Sequence, residues 1–265
     1  METLSEAADL LVVAEAAAVA APATSVRRNL HRTAALAALT AALAAQRMQR
    51  PAGEFLRQAQ DHANGAGDGP LKAQVLMLHR EEDCASRHIV SAGSETSVEL
   101  LRGAIDAAGV SVSASSVRAG ARYRLAWELA ALGQVHGALQ ELEAADADVE
   151  LASPAPDYIE DSDLHTGGAA AWRGMALRMA HCPAEAEAAL TEAIATRPKP
   201  TTSLVVLAKL KAETDDVDAA VAALEDGFLL ARTVGDARPQ ADARTLAGRL
   251  PDCTAVRSLR ELLRA

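Results

Sequence analysis

Leucine and alanine recur at spacings of three and four along most of this chain, and that rhythm limits what it can become. Leu36, Leu39 and Leu43 set it early, and Leu125, Leu129 and Leu132 repeat it later. Such spacing places side chains on one stripe of a helix, whereas strands require alternation. Alternating runs are nearly absent; Val110 to Ser113 is too short to build a sheet. Breaks fall at Pro22, Pro51, Asn64 to Pro70, Gly93, Pro154 to Asp157, Gly167-Gly168, Pro198 to Pro200, Gly235 to Pro239 and Pro251. The intervals have the length of ordinary globular helices. Half of the residues are apolar but only 2% are aromatic. A core of Ala and Leu suits closely crossing helices and suits a β-sandwich poorly. The expected fold class is therefore all-α.

A repeat lies inside that rhythm. Gly174, Ala186, Leu190, Ala193 and Pro198 are separated by 12, 4, 3 and 5 residues. Ala126, Ala138, Leu142 and Ala145 keep the first three spacings, with Gly133 at the turn. Ala208, Ala220, Leu224 and Gly227 keep them again, with Asp215-Asp216-Val217 as the turn. Ala52, Leu56 and Ala59 read as the second helix of an early unit, and Ser97, Leu101 and Ala104 as a weaker copy. Small residues let two helices cross closely, the Leu fills the gap between them, and Pro198 ends the second helix.

This pattern resembles the tetratricopeptide repeat family, whose units are about 34 residues long. The resemblance implies an irregular superhelix of stacked antiparallel helix pairs, about five units plus capping helices at both ends. It is irregular because the anchors Ala52, Ser97, Ala138, Ala186 and Ala220 lie 45, 41, 48 and 34 residues apart. One solenoid domain over 1–265 is expected: an N-terminal capping helix in 1–28, degenerate repeats in 29–109, clearer repeats in 117–233 and capping helices in 238–265. Pro239 and Pro251 suit first-turn positions in the last two helices, with their Arg residues facing water. From Tyr158 to Leu263 the chain is also similar to the C-terminal repeat region of actinobacterial helix-turn-helix transcription regulators. The shared landmarks are His165, Gly174, Ala186, Leu190, the run Asp216 to Ala220, Arg238, and Val256 to Leu262. That family's repeats bind or sense a regulatory partner. With roughly 30 residues before the first repeat, the sensor half without its DNA reader is expected.

The net charge of −10 disfavours direct nucleic-acid binding, which needs a positive surface. Charge is uneven. Nine acidic residues and no Lys or Arg lie between Glu141 and Asp163, whereas Arg27, Arg28, Arg32, Arg47, Arg50 and Arg57 make the early part basic. Glu2, Glu6, Asp9 and Glu15 interrupt the apolar N-terminal run and argue against a signal peptide. No uncharged apolar stretch of about 18 residues spans a membrane. Cys84, Cys182 and Cys253 imply no disulfide framework, so a cytoplasmic location is expected.

The polar clusters read as surface features. Cys84 and His88, four apart, could share a helix face, but a metal site needs further ligands. His181-Cys182 sits in a turn, as a surface His and thiol. Asp157, Glu160, Asp161 and Asp163 lack the spacing of a calcium loop. Asn64 to Pro70 lacks the end of a phosphate loop and reads as a linker. No nucleophile motif or His-Glu-x-x-His occurs, so no enzymatic activity and no metal or cofactor is expected.

The tetratricopeptide resemblance places partner-facing residues on the first helices. Carried over, they are Tyr123 and Trp127, then Met175, Arg178 and Met179, then Val205 and Lys209. They would take a protein or peptide along a concave groove, with Arg178 and Lys209 holding a carboxylate. The equivalent positions of the first unit, Ala34, Ala37, Ala41 and Ala44, suggest a scaffold or dimer surface. A homodimer through Leu4 to Ala20 is an alternative to a simple capping helix. A second reading is a small-molecule sensor with an apolar pocket between Trp127, Trp172 and Met175. A third is an enzyme on a helical scaffold.

Overall fold

Every element of the computed structural model is helical among the described residues, which are 2–21, 23–48, 50–86, 93–152 and 167–264. Thirteen α-helices lie among the described residues: α1 (Glu2–Ala20), α2 (Thr24–Arg47), α3 (Gly53–Ala66), α4 (Gly69–Ser86), α5 (Glu95–Ala108), α6 (Ser115–Ala131), α7 (Val135–Leu151), α8 (Ala169–Met179), α9 (Pro183–Thr196), α10 (Thr201–Glu213), α11 (Val217–Val234), α12 (Ala237–Arg249) and α13 (Thr254–Leu262). A short 3-10 turn, Val112–Ala114, leads into α6.

Sequence neighbours pack as pairs: α2 with α3, α4 with α5, α6 with α7, α8 with α9, and α10 with α11. The first helix of each pair also touches the first helix of the next, from α2 through α4, α6, α8 and α10 to α12. Accordingly there is no single core. One apolar cluster joins α1 to α4, a second joins α4 to α7, a third runs from α6 to α10, and a fourth from α10 to α13. Helices thus pack chiefly against their near neighbours in the chain.

The anchors occupy equivalent places in these pairs. Ala52, Ser97, Ala138, Ala186 and Ala220 all lie at or within the first turn of a second helix, and all are fully buried. Four residues on, Leu56, Leu101, Leu142, Leu190 and Leu224 are buried too. Burying one such leucine contributes roughly 1.5–3 kcal/mol. Gly174 shows why small residues face them: a Cβ there would lie 2.7 Å from Leu190 Cγ.

Several expectations need correction. Asn64 to Pro70 is not a linker. Helix α3 runs to Ala66 and α4 starts at Gly69, leaving Gly67 and Asp68 between. Gly67 takes a left-handed φ of 68°, which ends α3. Asp68 accepts from the Leu71 N–H at 3.0 Å and from Arg32 Nε at 2.9 Å, so the sharp corner is fixed at both sides. Pro251 lies before α13 rather than in its first turn. Two of the C-terminal arginines do not simply face water: Arg244 donates to the Leu263 carbonyl, and Arg260 to those of Ala247 and Leu250. Ala34, Ala37 and Ala41 are buried inside the protein, within or beside the first cluster, so they form no dimer surface. The N-terminal cap ends at Ala20, and residues 24–28 already belong to α2.

Candidate functional site

Charged side chains link the first helices, and these links place the exposed residues of interest. Arg80 of α4 donates to Glu128 of α6 at 2.7 Å, and its guanidinium lies 4.8 Å from the Trp127 ring centroid. Arg124 of α6 lies 4.5 Å from the Trp172 ring centroid on α8, while Arg124 Nη1 donates to the Gly120 carbonyl. Both tryptophans are therefore half-buried and covered on one face by an arginine from the preceding first helix. A cation over an indole contributes roughly 0.5–2 kcal/mol.

Of the seven partner-facing residues named from the sequence, two are buried. Tyr123 is 2% exposed; its hydroxyl donates to Asp146 Oδ1 at 2.6 Å, and Asp146 also pairs with Arg173. Burial pushes the Tyr123 phenol up to about 12, against a smaller opposing pull from Arg173. Val205 packs in the α10–α13 cluster, where its methyl would meet a Cβ on Gly227 at 3.3 Å. The other five, Trp127, Met175, Arg178, Met179 and Lys209, are half-buried on α6, α8 and α10.

Two of these form a cationic pair across α8 and α10. Arg178 Nη1 donates to Glu213 Oε1 at 2.5 Å, but its buried Nε has no partner. Lys209 makes no hydrogen bond or ion pair among the described residues. Burial, and then the neighbouring Arg178 charge, push its ammonium below the ordinary lysine range. Asp242 on α12 is shifted upward by burial, and Lys209 pulls against that shift.

A cavity of about 250 Å³ opens where the N-terminal ends of α8 and α10 meet α6. Trp172 and Met175 line it, and Trp127 does not. Its wall is polar and cationic, with Arg124, Arg197 and Lys199. The apolar pocket expected between Trp127, Trp172 and Met175 is thus a polar one, placed nearer the α9–α10 connection.

The remaining clusters separate. His181 is exposed with a left-handed φ of 59°. Cys182, expected to be a surface thiol, is instead half-buried and packs on two apolar clusters. The Cys84 side chain, His88 and the acidic set Asp157 to Asp163 lie outside the described residues. No group of three or more His, Cys, Asp or Glu among the described residues is placed to hold a metal ion. No described helix is long and apolar enough to cross a membrane.

Sequence reading missed the charge links and one histidine contact. His31 and His62 meet through their Nδ1 atoms at 3.0 Å, and His62 Nε2 contacts Glu15 at 2.9 Å, tying α1, α2 and α3 together. These partners are 31 and 47 residues apart, so no local spacing could have announced them. Compared with known proteins, the chain matches no family model and no curated protein.

Proposed function

We propose that this chain is a non-enzymatic, regulatory binding module of the tetratricopeptide kind. It takes a protein or peptide segment along its first helices α6, α8 and α10. The stacking of helix pairs in chain order, with equivalent buried anchors in five pairs, supports an irregular superhelix of that type. The observation that carries the binding role is Lys209. A half-buried ammonium that makes no direct hydrogen bond or ion pair among the described residues, set beside Arg178 and only partly offset by the more distant Asp242 and Glu213 charges, is costly, and a ligand carboxylate would relieve that cost. Trp127, Met175 and Met179 would add apolar contact next to it, with Met adapting to varied surfaces. The expected occupant is therefore a segment with an acidic side chain or a terminal carboxylate flanked by apolar residues.

The test is affinity capture from native lysate with wild type, Lys209→Met, Lys209→Arg and Trp127→Ala/Met179→Ala. One polypeptide should be retained by wild type and Lys209→Arg and lost by the other two. Equal recovery by all four would remove this face from the binding role.

Self-association is a second proposal about partners. Leu10, Val12, Val13 and Val19 of α1 are each exposed, and association with a second copy would remove some of them from water. Light scattering should then find a dimer for wild type and a monomer for Val13→Lys/Val19→Lys. A monomeric wild type would end this proposal.

A further inference from the structure

We propose that the cavity between α6, α8 and the start of α10 binds a small phosphate-bearing molecule, at a site that borders the peptide face at Met175. Three cations from two parts of the chain converge on it. Arg124 comes from α6 and is 6% exposed, while Arg197 and Lys199 come from the connection between α9 and α10. Arg124 is held by the Gly120 carbonyl, the Met77 sulfur and the Trp172 ring. Lys199 is exposed and has no ion pair among the described residues. The one described carboxylate on the wall, Asp236, already accepts from the Thr201 hydroxyl at 3.3 Å.

Neutral donors complete the set. Ser203 lines the cavity and is only 3% exposed, yet its hydroxyl has no hydrogen-bond partner among the described residues. That hydroxyl is open to the cavity, where a ligand or water can satisfy it. Pro200 occupies the N-cap of α10 and has no side-chain acceptor to offer. Thr201, Thr202 and Ser203 form the first turn of α10, ahead of the first helical bond from Leu204 N–H to the Pro200 carbonyl, and all three residues line the same cavity. Guanidinium and ammonium groups, hydroxyls and first-turn N–H groups together match a tetrahedral dianion, which can accept from several directions at once.

The size argues for a small ligand. About 250 Å³ is just below the usual range of ligand pockets, so a phosphate and a short carbon chain fill it. Lys209 is eight residues beyond Thr201, roughly 12 Å along α10, so Lys199 and Ser203 can be altered without touching Lys209.

Calorimetric titration with glycerol 3-phosphate tests this, with citrate and a phosphoserine peptide as comparison ligands, in chloride near physiological strength (about 0.15 M) to screen diffuse attraction. Wild type should bind glycerol 3-phosphate saturably and more tightly than citrate or the peptide. Lys199→Gln, an exposed change with no described ion pair to break, should weaken it about tenfold, and Ser203→Ala several-fold. Arg57→Ala, a solvent-exposed cation on α3, should leave it unchanged. No saturable phosphate binding, equal binding by Lys199→Gln, or tighter binding of citrate would overturn the proposal. Tighter binding of the phosphopeptide would overturn the small-molecule assignment.

Discussion

Arg80 and Glu128 form an ion pair in which both side chains are almost wholly buried, at 6% and 0% exposure. The pair joins α4 to α6, and Glu128 Oε2 also accepts the Ser94 N–H at the start of α5. One carboxylate thus fixes three helices. Removing it leaves a guanidinium buried without its counter-charge, which costs roughly 3–5 kcal/mol. Glu128→Gln should therefore lower urea-denaturation stability by about that amount. Arg80→Met/Glu128→Leu should recover much of the loss, because an apolar pair of similar volume needs no solvation. A Glu128→Gln protein as stable as wild type would mean that this pair holds nothing together.

Gly174 and Leu190 test the close crossing of α8 and α9. A methyl at Gly174 would meet Leu190 Cγ at 2.7 Å and the Leu190 backbone nitrogen at 3.1 Å. Gly174→Ala should cost about 1–3 kcal/mol through overpacking, and Leu190→Ala about 2–5 kcal/mol through the cavity it leaves. In the double variant the new methyl enters the space that leucine vacated. The combined loss should then fall clearly short of the sum, as a double-mutant cycle by chemical denaturation would read. Additive losses would show that the two residues do not share one space.

Lys209 gives a pH-dependent signature of its own. Its folded pKa lies below the ordinary value of 10.5, so the folded protein holds that proton less firmly than the unfolded chain. Stability from this residue therefore rises as pH climbs through the folded pKa toward 10.5, and the penalty is fully present below that window. Lys209→Met should be more stable than wild type at pH 7, with the gap narrowing as pH approaches 10.5. Thermal melts of the two proteins across that range give the comparison. A gap that widens instead would reverse the sign and remove the desolvation argument.

How much of this could be read from the chain differs between apolar and charged residues. Ala186, Leu190 and Ala193 announce themselves by spacing, since one helix stripe dictates all three, and each is buried. The same rule located the anchors in the other four pairs. Helix ends at glycine were less legible. Gly65 continues α3 because it passes against the His31 ring, where a Cβ would come within 3.0 Å, whereas Gly67 stops the helix with its left-handed φ. Composition cannot separate two glycines two residues apart. Glu128 and Arg124 were invisible as interior residues, because a charge is assigned to the surface until its partner is known, and their partners sit on other helices. The tetratricopeptide resemblance puts Tyr123 on the partner-facing side, whereas its hydroxyl is held by Asp146, 23 residues away on α7.

Tyr123 provides the last expectation. Its phenol is raised to about 12 chiefly by burial, above the ordinary 10.0. The folded state then holds the proton more firmly than the unfolded chain. The stability this confers is complete below pH 10 and is lost as pH rises from 10 through 12. Tyr123→Phe removes that dependence and also the hydrogen bond to the Asp146 carboxylate, a loss of roughly 1.5–3 kcal/mol. At pH 8 the variant should be less stable than wild type, and above pH 10 the two should converge. The chain has two tyrosines, Tyr123 and Tyr158, so phenolate absorbance should lose its late component in the variant. If the late component survives in Tyr123→Phe, it belongs to Tyr158, and the buried hydroxyl of α6 is not its source.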